Sequence, residues 1–184
     1  MAQFQQQMEQ IVAALESRPR LLLHSCCGPC SSAVIERLAP HFDLTVYYYN
    51  PNIYPPQEYR RRADEQARLL ETLGVPMIEA EYDTDRFDAI GLADEPEGGA
   101  RCRACYALRL EQSARYAKEQ GYEATACFVV QMKGMKHLEP NDVTHPEFGA
   151  ALRRCAQAGI EIMALECDVI PGKGEITGAI PVIL

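Results

Sequence analysis

Five of the eight cysteines in this 184-residue chain fall into two tight groups. The first group is Cys26, Cys27 and Cys30, around a Gly-Pro turn, and the second is Cys102 and Cys105. Grouped cysteines in a reduced compartment are typical of metal ligands or redox pairs. Five candidate ligands exceed the four that a structural zinc ion requires. The surplus favours an iron–sulfur cluster, alone or beside a second metal held by the remaining thiolates and a carboxylate.

Simpler interpretations of these residues stay open. Structural zinc needs only four thiolates, and the Cys-Cys-Gly-Pro-Cys segment alone is compatible with a thioredoxin-like redox turn. The scattered cysteines, Cys127, Cys155 and Cys167, have apolar neighbours and are typical of small core residues. His24 is more typical of a core or turn histidine than of a ligand. Asp83 fits a helix N-cap and a metal or proton-transfer role equally well.

The elements that must position these cysteines alternate between strands and helices. Apolar periodicity predicts five strands, at 20–25, 44–49, 75–81, 124–131 and 160–166. It also predicts helices at 4–16, 31–38, 57–73 and 146–158, and a long helix that follows the loop at 94–101 and ends at 120. This order predicts a three-layer, doubly wound α/β fold, with a mostly parallel sheet of about five strands and helices on both faces. We expect residues 1–184 to form a single domain. Ligands of such sheets bind beyond the carboxyl ends of the strands, where the first cysteine group follows the first strand.

Charge and hydropathy exclude several classes of protein. Lys and Arg total 18 against 26 Asp and Glu, so the net charge of −8 argues against a general nucleic-acid binder but allows a local basic patch. No segment approaches the roughly 20 apolar residues of a membrane helix, and the first 18 residues lack the apolar core of a signal peptide. We therefore expect a cytoplasmic protein without a membrane partner.

Five motifs occur between Leu21 and Gly121 in an order that resembles a known family. They are LLHSCCGPCS at 22–31, YYNPNI at 48–53, EYRRR at 58–62, YD at 82–83, and the segment at 95–111 that contains RCRACY. These motifs resemble the cysteine-rich epoxyqueuosine reductases of tRNA modification. The resemblance implies an iron–sulfur oxidoreductase that removes the epoxide oxygen from epoxyqueuosine at the wobble position of tRNA and leaves the alkene of queuosine.

The resemblance also implies roles for individual residues. The metal ligands of a [4Fe–4S] cluster and a neighbouring iron ion would be Cys26, Cys27, Cys30, Cys102, Cys105 and the carboxylate of Asp83. The catalytic residues would be Asp83 and Cys30. The substrate-binding residues would be Asn50, Asn52, Tyr59, Arg62 and Arg101, although Asn50 and Asn52 are equally compatible with a simple turn after a strand. The implied partners are a tRNA with a queuosine-type anticodon and an electron donor that the sequence does not identify.

The RNA partner requires positive charge on an acidic chain. Arg60, Arg61 and Arg62 are the only run of three like charges. A phosphate-contacting patch would combine them with Arg68, Arg101, Arg103 and Arg109. A solvated helix face is the default interpretation of the run.

After Gly121 the sequence resembles a second family. Residues 122–184 look like the C-terminal end of the sugar-fermentation-stimulation proteins, which resemble nuclease-fold DNA-binding proteins. This suggests a chimera, in which residues 1–121 are reductase-like and residues 122–184 form a strand-helix-strand tail that completes the sheet. The alternatives to the reductase are therefore a DNA-binding or nuclease-like protein and a metal-binding chimera without activity.

Overall fold

The structure is a computed structural model that describes residues 10, 12–26, 28–95, 99–127, 162–166 and 179–183. Six strands in these ranges form one sheet. They are β1 (Arg20–His24), β2 (Asp43–Tyr48), β3 (Met77–Glu79), β4 (Ala124–Cys127), β5 (Ile162–Glu166) and β6 (Ala179–Ile183). The helices are α1 (Gly28–Leu38), α2 (Pro56–Leu73), α3 (Thr84–Asp88) and α4 (Ala100–Glu119).

The strands lie in the order β3-β2-β1-β4-β6-β5. The first four in this order are parallel, whereas β6 is antiparallel to both β4 and β5. Leu23 of β1 pairs with Val46 of β2 on one side and with Ala126 of β4 on the other. A central parallel strand is covered on both faces, which explains the uninterrupted apolar run of β1.

One face of the sheet packs against α1 and α2. Leu21 and Leu23 of β1 point to this side, because alternate residues of a strand face the same way. They form one buried cluster with residues of β2, both helices and the loop after α1, namely Leu44, Val46, Val34, Ile35, Leu38, Phe42 and Leu70. Full burial of a side chain of this size contributes roughly 1.5–3 kcal/mol, so the cluster holds both helices against the sheet.

The opposite face packs against α4. Leu22 and Tyr47 point to this side and form a buried cluster with Ala117 of α4. The ring of Tyr47 stacks on the ring of Tyr116, with centroids 4.7 Å apart. Helices therefore cover both faces of β1 and β2.

Helix α4 runs antiparallel to β1. Its last turn lies at the amino end of β1, where Arg20 Nη1 donates to the carbonyl oxygen of Gln120 at 3.2 Å and the Arg20 backbone N–H donates to the Glu123 carboxylate at 3.0 Å. At 1.5 Å per residue the helix is about 30 Å long, while β1 is about 17 Å long. The first turns of α4, which contain Cys102 and Cys105, therefore reach the carboxyl end of β1 and extend beyond it.

Helix α2 ends at a glycine with a left-handed backbone. Gly74 has φ 67° and ψ 26°, and a Cβ there would meet no atom within 4 Å. Substitution therefore adds only the left-handed conformation of an L-residue, which costs roughly 1–2 kcal/mol. We expect Gly74→Ala to lower the free energy of unfolding by about 1 kcal/mol in urea denaturation, and Gly74→Asn to lower it less. Equal stability of Gly74→Ala and the parent chain would contradict this assignment of the helix end.

Most predicted elements are present, with shifted ends. Helix α1 begins at Gly28 instead of Ser31, because proline is accepted in the first turn of a helix. Strand β3 is shorter than predicted, and neither α3 nor β6 was predicted. The predicted strand at 124–131 is described only to Cys127, while residues 4–9 and the predicted helix at 146–158 lie outside the described residues.

Candidate functional site

The carboxyl ends of three parallel strands meet at one edge of the sheet, which we call the carboxyl edge. Ser25 and Cys26 follow β1, Asn50 follows β2 at an interval of one residue, and Asp83 follows β3 after a short loop. Because the strands are parallel and adjacent, these segments lie side by side. The parallel topology therefore places Cys26, Asn50 and Asp83 at the same edge, as the sequence predicted.

The first cysteine group spans the end of β1 and the first turn of α1, in residues 25–31, which we call the cysteine loop. Cys26 is partly exposed, and Cys30 is the third residue of α1. Cys27 and the side chain of Cys30 lie outside the described part of the chain. The N terminus of α1 lies at the carboxyl edge, and the positive end of a helix dipole there favours thiolates.

Hydrogen bonds hold both ends of the cysteine loop. The Ser25 backbone N–H donates to the Tyr47 carbonyl oxygen at 3.1 Å, and Asn50 Nδ2 donates to the Ser25 carbonyl oxygen at 2.8 Å. The hydroxyls of Ser25 and Ser31 lie 2.9 and 3.0 Å from Oε1 of Gln66, a fully buried residue of α2. The loop is thus attached to β2 and to α2.

The second cysteine group lies in the first two turns of α4. Cys102 and Cys105 are three residues apart, so they share one side of the helix. Cys102 is partly exposed, whereas Cys105 is buried. Burial raises the pKa of the Cys105 thiol, and the positive charge of Arg109 one turn further on opposes that change.

Tyr49 connects α4 electrostatically to the carboxyl edge. Burial raises the pKa of its hydroxyl, the charge of Arg86 lowers it, and the charges of Asp83 and Cys105 raise it further. Charges perturb a pKa strongly only over short distances. Asp83 and Cys105 are therefore both within electrostatic reach of the residue that follows β2.

His24 is a buried neutral histidine at the end of β1. Its Nε2 donates to the Tyr49 carbonyl oxygen at 2.9 Å. Burial and, second, the charge of Arg109 lower its pKa to about 3, so the ring is uncharged at neutral pH. These contacts favour the structural interpretation of His24. They also place Arg109, one turn from Cys105, beside the end of β1.

The donor set at this edge suits a soft metal or an iron–sulfur group. Cys26, Cys102 and Cys105 offer sulfur, the ligand atom of such groups. No three His, Cys, Asp or Glu residues form a metal site within the described set, which lacks Cys27 and the Cys30 side chain. The register also places the backbone of Cys127 opposite His24, near the carboxyl edge.

Asp83 has a structural role that the sequence left open. It is the N-cap of α3, and its Oδ1 accepts a hydrogen bond from the Arg86 backbone N–H at 3.3 Å. Its Oδ2 lies 3.8 Å from Arg86 Nε. The N-cap interpretation is therefore confirmed, and the proposed metal role would have to coexist with it.

The predicted substrate residues differ in their surroundings. Asn50 and Asn52 each have a buried Oδ1 without a hydrogen-bond partner among the described residues. Tyr59 instead belongs to a buried cluster, where its hydroxyl donates to the Glu79 carboxylate at 3.3 Å and its ring stacks on Tyr82 with centroids 4.0 Å apart. The two asparagines present acceptor atoms at the carboxyl edge, and Tyr59 packs into the core beside it.

The arginine run of α2 is paired with carboxylates. Arg60 binds both oxygens of Glu79, at 2.8 and 3.1 Å. Arg61 and Arg62 both bind Glu58, with closest distances of 2.8 and 2.7 Å. These ion pairs favour a solvated helix face over a phosphate-binding patch.

The arginines of α4 are also held by the protein. Arg101 Nη1 donates to the Ala93 carbonyl oxygen at 3.0 Å, which attaches the preceding loop to the helix. Arg109 is only 9% exposed, and its guanidinium carbon lies 5.1 Å from the centroid of the Tyr106 ring. Because Arg109 is buried, it does not belong to the exposed patch that the sequence suggested.

Glu58 should make the stability of the chain sensitive to acid. Hydrogen bonds from Arg61 and then Arg62 lower the pKa of Glu58 from 4.5 to about 2. A carboxylate with a depressed folded-state pKa stabilises the fold above its unfolded pKa, and that contribution is lost as the pH falls. Between pH 4.5 and about 2, we expect the melting temperature of the parent chain to fall slightly more steeply than that of Glu58→Gln. The difference is small because solvent screens exposed ion pairs.

A matched variant tests whether the two arginines cause this difference. Glu71→Gln removes one exposed carboxylate near the other end of α2, away from Arg61 and Arg62. Its melting curves should keep the pH dependence of the parent chain. The same flattening in both variants would show that net charge, and not the pairs with Glu58, is responsible.

Sequence interpretation missed two residues of the carboxyl edge, Gln66 and Tyr49. On α2, Gln66 shares the buried side with Tyr59, Ala63 and Leu70. A buried amide on an otherwise apolar helix side is unusual, so this exception to the apolar pattern could have identified Gln66 from the sequence. Tyr49 directly follows β2, and its position at a strand end was the corresponding signal.

No helix in the described ranges combines the length and the apolar character needed to cross a membrane. Comparison with solved structures finds a precorrin-6y C5,15-methyltransferase from Geobacter metallireducens GS-15, with a TM-score of 0.39 and 14% identity over 96% of this chain and 85% of that chain. A similarity this distant supports no argument about fold or function.

Curated relatives named epoxyqueuosine reductase QueH match more than half of the chain. The protein of Histophilus somni is 49% identical over 124 residues, which cover 65% of this chain and 51% of the relative. The protein of Staphylococcus epidermidis is 45% identical over 116 residues, covering 58% and 49%, and that of Acinetobacter baylyi is 43% identical over 128 residues, covering 67% and 59%. The chain spans about half the length of the curated relatives it matches.

The family model described as epoxyqueuosine reductase QueH matches residues 21–144. The match continues past Gly121, so the predicted departure from the family at that residue is too early. The match includes the segment after β4, for which the sequence predicts a resemblance to the sugar-fermentation-stimulation proteins instead. A family match over most of the chain settles the assignment: the chain belongs to the epoxyqueuosine reductase QueH family.

Proposed function

We propose that this chain removes the epoxide oxygen of epoxyqueuosine in tRNA and so forms queuosine. The reaction takes up two electrons and two protons, converts the epoxide to an alkene and releases the oxygen as water. The observation that best supports the proposal is that, in a member of this family, Cys26 directly follows β1 while Cys102 and Cys105 lie in the first turns of α4, the helix whose last turn lies at the opposite end of β1.

The cysteines at this edge are the proposed ligands of a [4Fe–4S] cluster and a neighbouring iron ion. They are Cys26, Cys27, Cys30, Cys102 and Cys105, with Asp83 as the carboxylate ligand. Their sulfur donors and the position of α4 beside the ends of β1 and β2 support the assignment. Once bound, such a group supplies single electrons and a Lewis-acidic iron that polarises the C–O bond.

Asp83 and Cys30 are the proposed catalytic residues. Asp83 has one oxygen in the N-cap hydrogen bond and the other 3.8 Å from Arg86 Nε. These contacts orient the carboxylate beside Tyr49, where it can act as an iron ligand or pass a proton to the leaving oxygen. Cys30 lies in the first turn of α1, where the helix dipole favours a thiolate.

Five residues around the edge are proposed to bind the modified nucleotide or its tRNA. They are Asn50, Asn52, Tyr59, Arg62 and Arg101. The buried Oδ1 atoms of Asn50 and Asn52 can accept hydrogen bonds from substrate hydroxyls. Arg62 and Arg101 would reach phosphate only by exchanging their contacts with Glu58 and the Ala93 carbonyl oxygen, so their part of the proposal has the least support.

The location of the protein, its partners and its domain organisation are also proposed. We place the protein in the cytoplasm, because its proposed substrate is tRNA and its proposed ligands are reduced thiols. Its partners are a tRNA with a queuosine-type anticodon and an electron donor that stays unidentified. We also propose one three-layer, doubly wound domain, which the coverage of β1 and β2 on both faces supports.

The proposal is tested with anaerobically reconstituted protein. Its iron content is measured first, and the protein is then incubated with epoxyqueuosine-containing tRNA and a low-potential chemical reductant. Mass spectrometry of the digested nucleosides should show queuosine only when both tRNA and reductant are present. Protein with about five irons per chain, four in the cluster and one beside it, that yields no queuosine would refute the activity. Stoichiometric zinc in place of iron would favour the structural zinc alternative.

The DNA-binding or nuclease-like alternative is not proposed. It depended on the similarity of residues 122–184 to another family, and the reductase family match covers that segment as far as residue 144. The similarity of residues 145–184 and the chimera stay predictions.

A further inference from the structure

One buried glutamine joins the two ends of the cysteine loop. The hydroxyl of Ser25, just before Cys26, lies 2.9 Å from Oε1 of Gln66. The hydroxyl of Ser31, just after Cys30, lies 3.0 Å from the same oxygen. A carbonyl oxygen has two lone pairs and can accept both hydrogen bonds. Gln66 therefore connects the residues on either side of the first cysteine group.

The connection does not depend on how the amide is oriented. If the amide is turned over, its NH₂ group has two hydrogens and donates one to each hydroxyl. Ser31 Oγ also lies 3.1 Å from the Gly28 carbonyl oxygen, to which it can then donate. Both orientations link Ser25, Ser31 and Gln66.

The start of α1 also packs directly on α2. A Cβ added to Gly28 would lie 3.6 Å from the Glu65 carbonyl oxygen and 3.8 Å from the Cα of Gln66. Gln66 itself is fully buried, in a helix side otherwise made of Tyr59, Ala63 and Leu70. A leucine of similar volume would fill the site without burying an amide, so packing alone does not require glutamine there.

We propose that Gln66 is a positioning residue for the three thiols of the cysteine loop. The proposal rests on the proposed function, because those thiols are assigned to the iron–sulfur group. A loop whose two ends are fixed to one rigid helix presents its thiols in a restricted set of positions. Such preorganisation slows the loss of a bound group, since ligands that dissociate singly stay close enough to rebind.

The first test measures the loop in the metal-free full chain. Hydrogen–deuterium exchange of peptides covering 25–31 should be about tenfold faster in Gln66→Leu than in the parent chain, because two hydrogen bonds that resist local opening are lost. Peptides covering 100–110 should exchange at the parent rate. Gln66→Glu should lie between the parent chain and Gln66→Leu, because its carboxyl group still accepts from both serines but is costly to bury when ionised.

The second test measures the retention of iron after anaerobic reconstitution. With excess chelator, the visible absorbance of Gln66→Leu should decay about tenfold faster than that of the parent chain, and that of Gln66→Glu should decay at an intermediate rate. Leu70→Ala is the matched control, because it weakens the packing of the same helix one turn further on without contacting either serine. Its decay should match the parent chain.

Several outcomes would overturn the proposal. The proposal is wrong if hydrogen–deuterium exchange of residues 25–31 is unchanged in Gln66→Leu. It is also wrong if that exchange is faster but the retention of iron is unchanged, because Gln66 would then be only a structural residue. Equal acceleration in Leu70→Ala would attribute the effect to general destabilisation. If Gln66→Leu does not fold, the Ser25→Ala, Ser31→Ala double variant must show the same two effects. If the parent chain takes up no iron, both the proposed function and this inference fail. If the parent chain is active and Gln66→Leu shows the same exchange and the same retention of iron, only this inference fails.

Discussion

The double variant Cys102→Ser, Cys105→Ser should be colourless after anaerobic reconstitution, with an iron content that falls from about five per chain to nearly none. A [4Fe–4S] cluster requires four cysteine thiolates, and the first cysteine group has only three. Serine has almost the volume of cysteine but does not ionise at neutral pH. Formation of queuosine should fall at least about 100-fold, since the proposed electron source is lost. Iron and sulfide analysis, visible absorbance and nucleoside mass spectrometry check these results.

A matched control separates loss of ligands from loss of fold. Cys155→Ser removes a thiol that belongs to neither cysteine group and should keep its iron, its colour and its activity. Circular dichroism should show the same helix content in the double variant as in the parent chain, because α4 keeps its packing through Tyr116 and Ala117. A full cluster in the double variant would refute the assignment of Cys102 and Cys105 as ligands.

Leu70→Ala should lower the free energy of unfolding by about 2–5 kcal/mol, the usual cost of removing a buried leucine side chain. Leu70 is 1% exposed and joins α2 to the cluster on the first face of the sheet, where it packs with Leu21, Leu23 and Val46. The substitution removes apolar contacts and leaves a cavity that the sheet cannot close. Urea denaturation followed by circular dichroism measures the change, at unchanged m-value if the unfolded state is unaffected.

The same substitution three residues further on provides the control. Leu73 lies on α2 as well, but it is 38% exposed. Leu73→Ala has the same effect on helix propensity and removes little buried surface, so it should change the free energy of unfolding by less than about 0.5 kcal/mol. Similar losses in the two variants would contradict the packing of α2 against the sheet.

The parallel part of the fold could be predicted because its signals are local. The three consecutive leucines of β1 indicate a strand covered on both faces, and Gly74 marks the end of α2. The antiparallel pairing of β6 with β4 and β5 could not be predicted in the same way. Its register joins residues far apart in the chain, such as Thr125 and Ile183, and no short pattern encodes that choice.

The location of the site could be predicted better than the contacts of its side chains. Parallel strands put Cys26, Asn50 and Asp83 at one edge, and that conclusion needs only topology. The burial of Tyr59 and Arg109 depends on which residues of other elements cover them, which a motif does not specify. The sequence therefore predicts a substrate contact for Tyr59 and a phosphate contact for Arg109, whereas both side chains are buried.

The ion pairs of the arginine run of α2 show which contacts follow from helical spacing in the sequence and which depend on the fold. The pairing of Arg61 and Arg62 with Glu58 follows from a spacing of three and four residues on a helix, so the sequence already contained it. Arg60 likewise has an i,i+4 partner, Asp64, at 2.9 Å, but it also binds both oxygens of Glu79, which the fold brings from β3. A basic run can therefore be interpreted as a nucleic-acid surface only after its carboxylate neighbours are known.

The length of helix α4 determines where Cys102 and Cys105 lie relative to the core, and a change of one residue would alter that position. Ala117 packs beside Leu22, and Cys105 lies twelve residues earlier on the same rigid rod. An insertion of one residue between them would rotate both sulfurs by about 100° around the helix axis relative to Ala117. Seven inserted residues would restore the direction to within about 20° but would shift the sulfurs by about 10 Å along the axis. Leu110 and Ala114 are buried in the same interval, so an insertion there would disturb the packing of the helix together with the geometry of the proposed metal ligands.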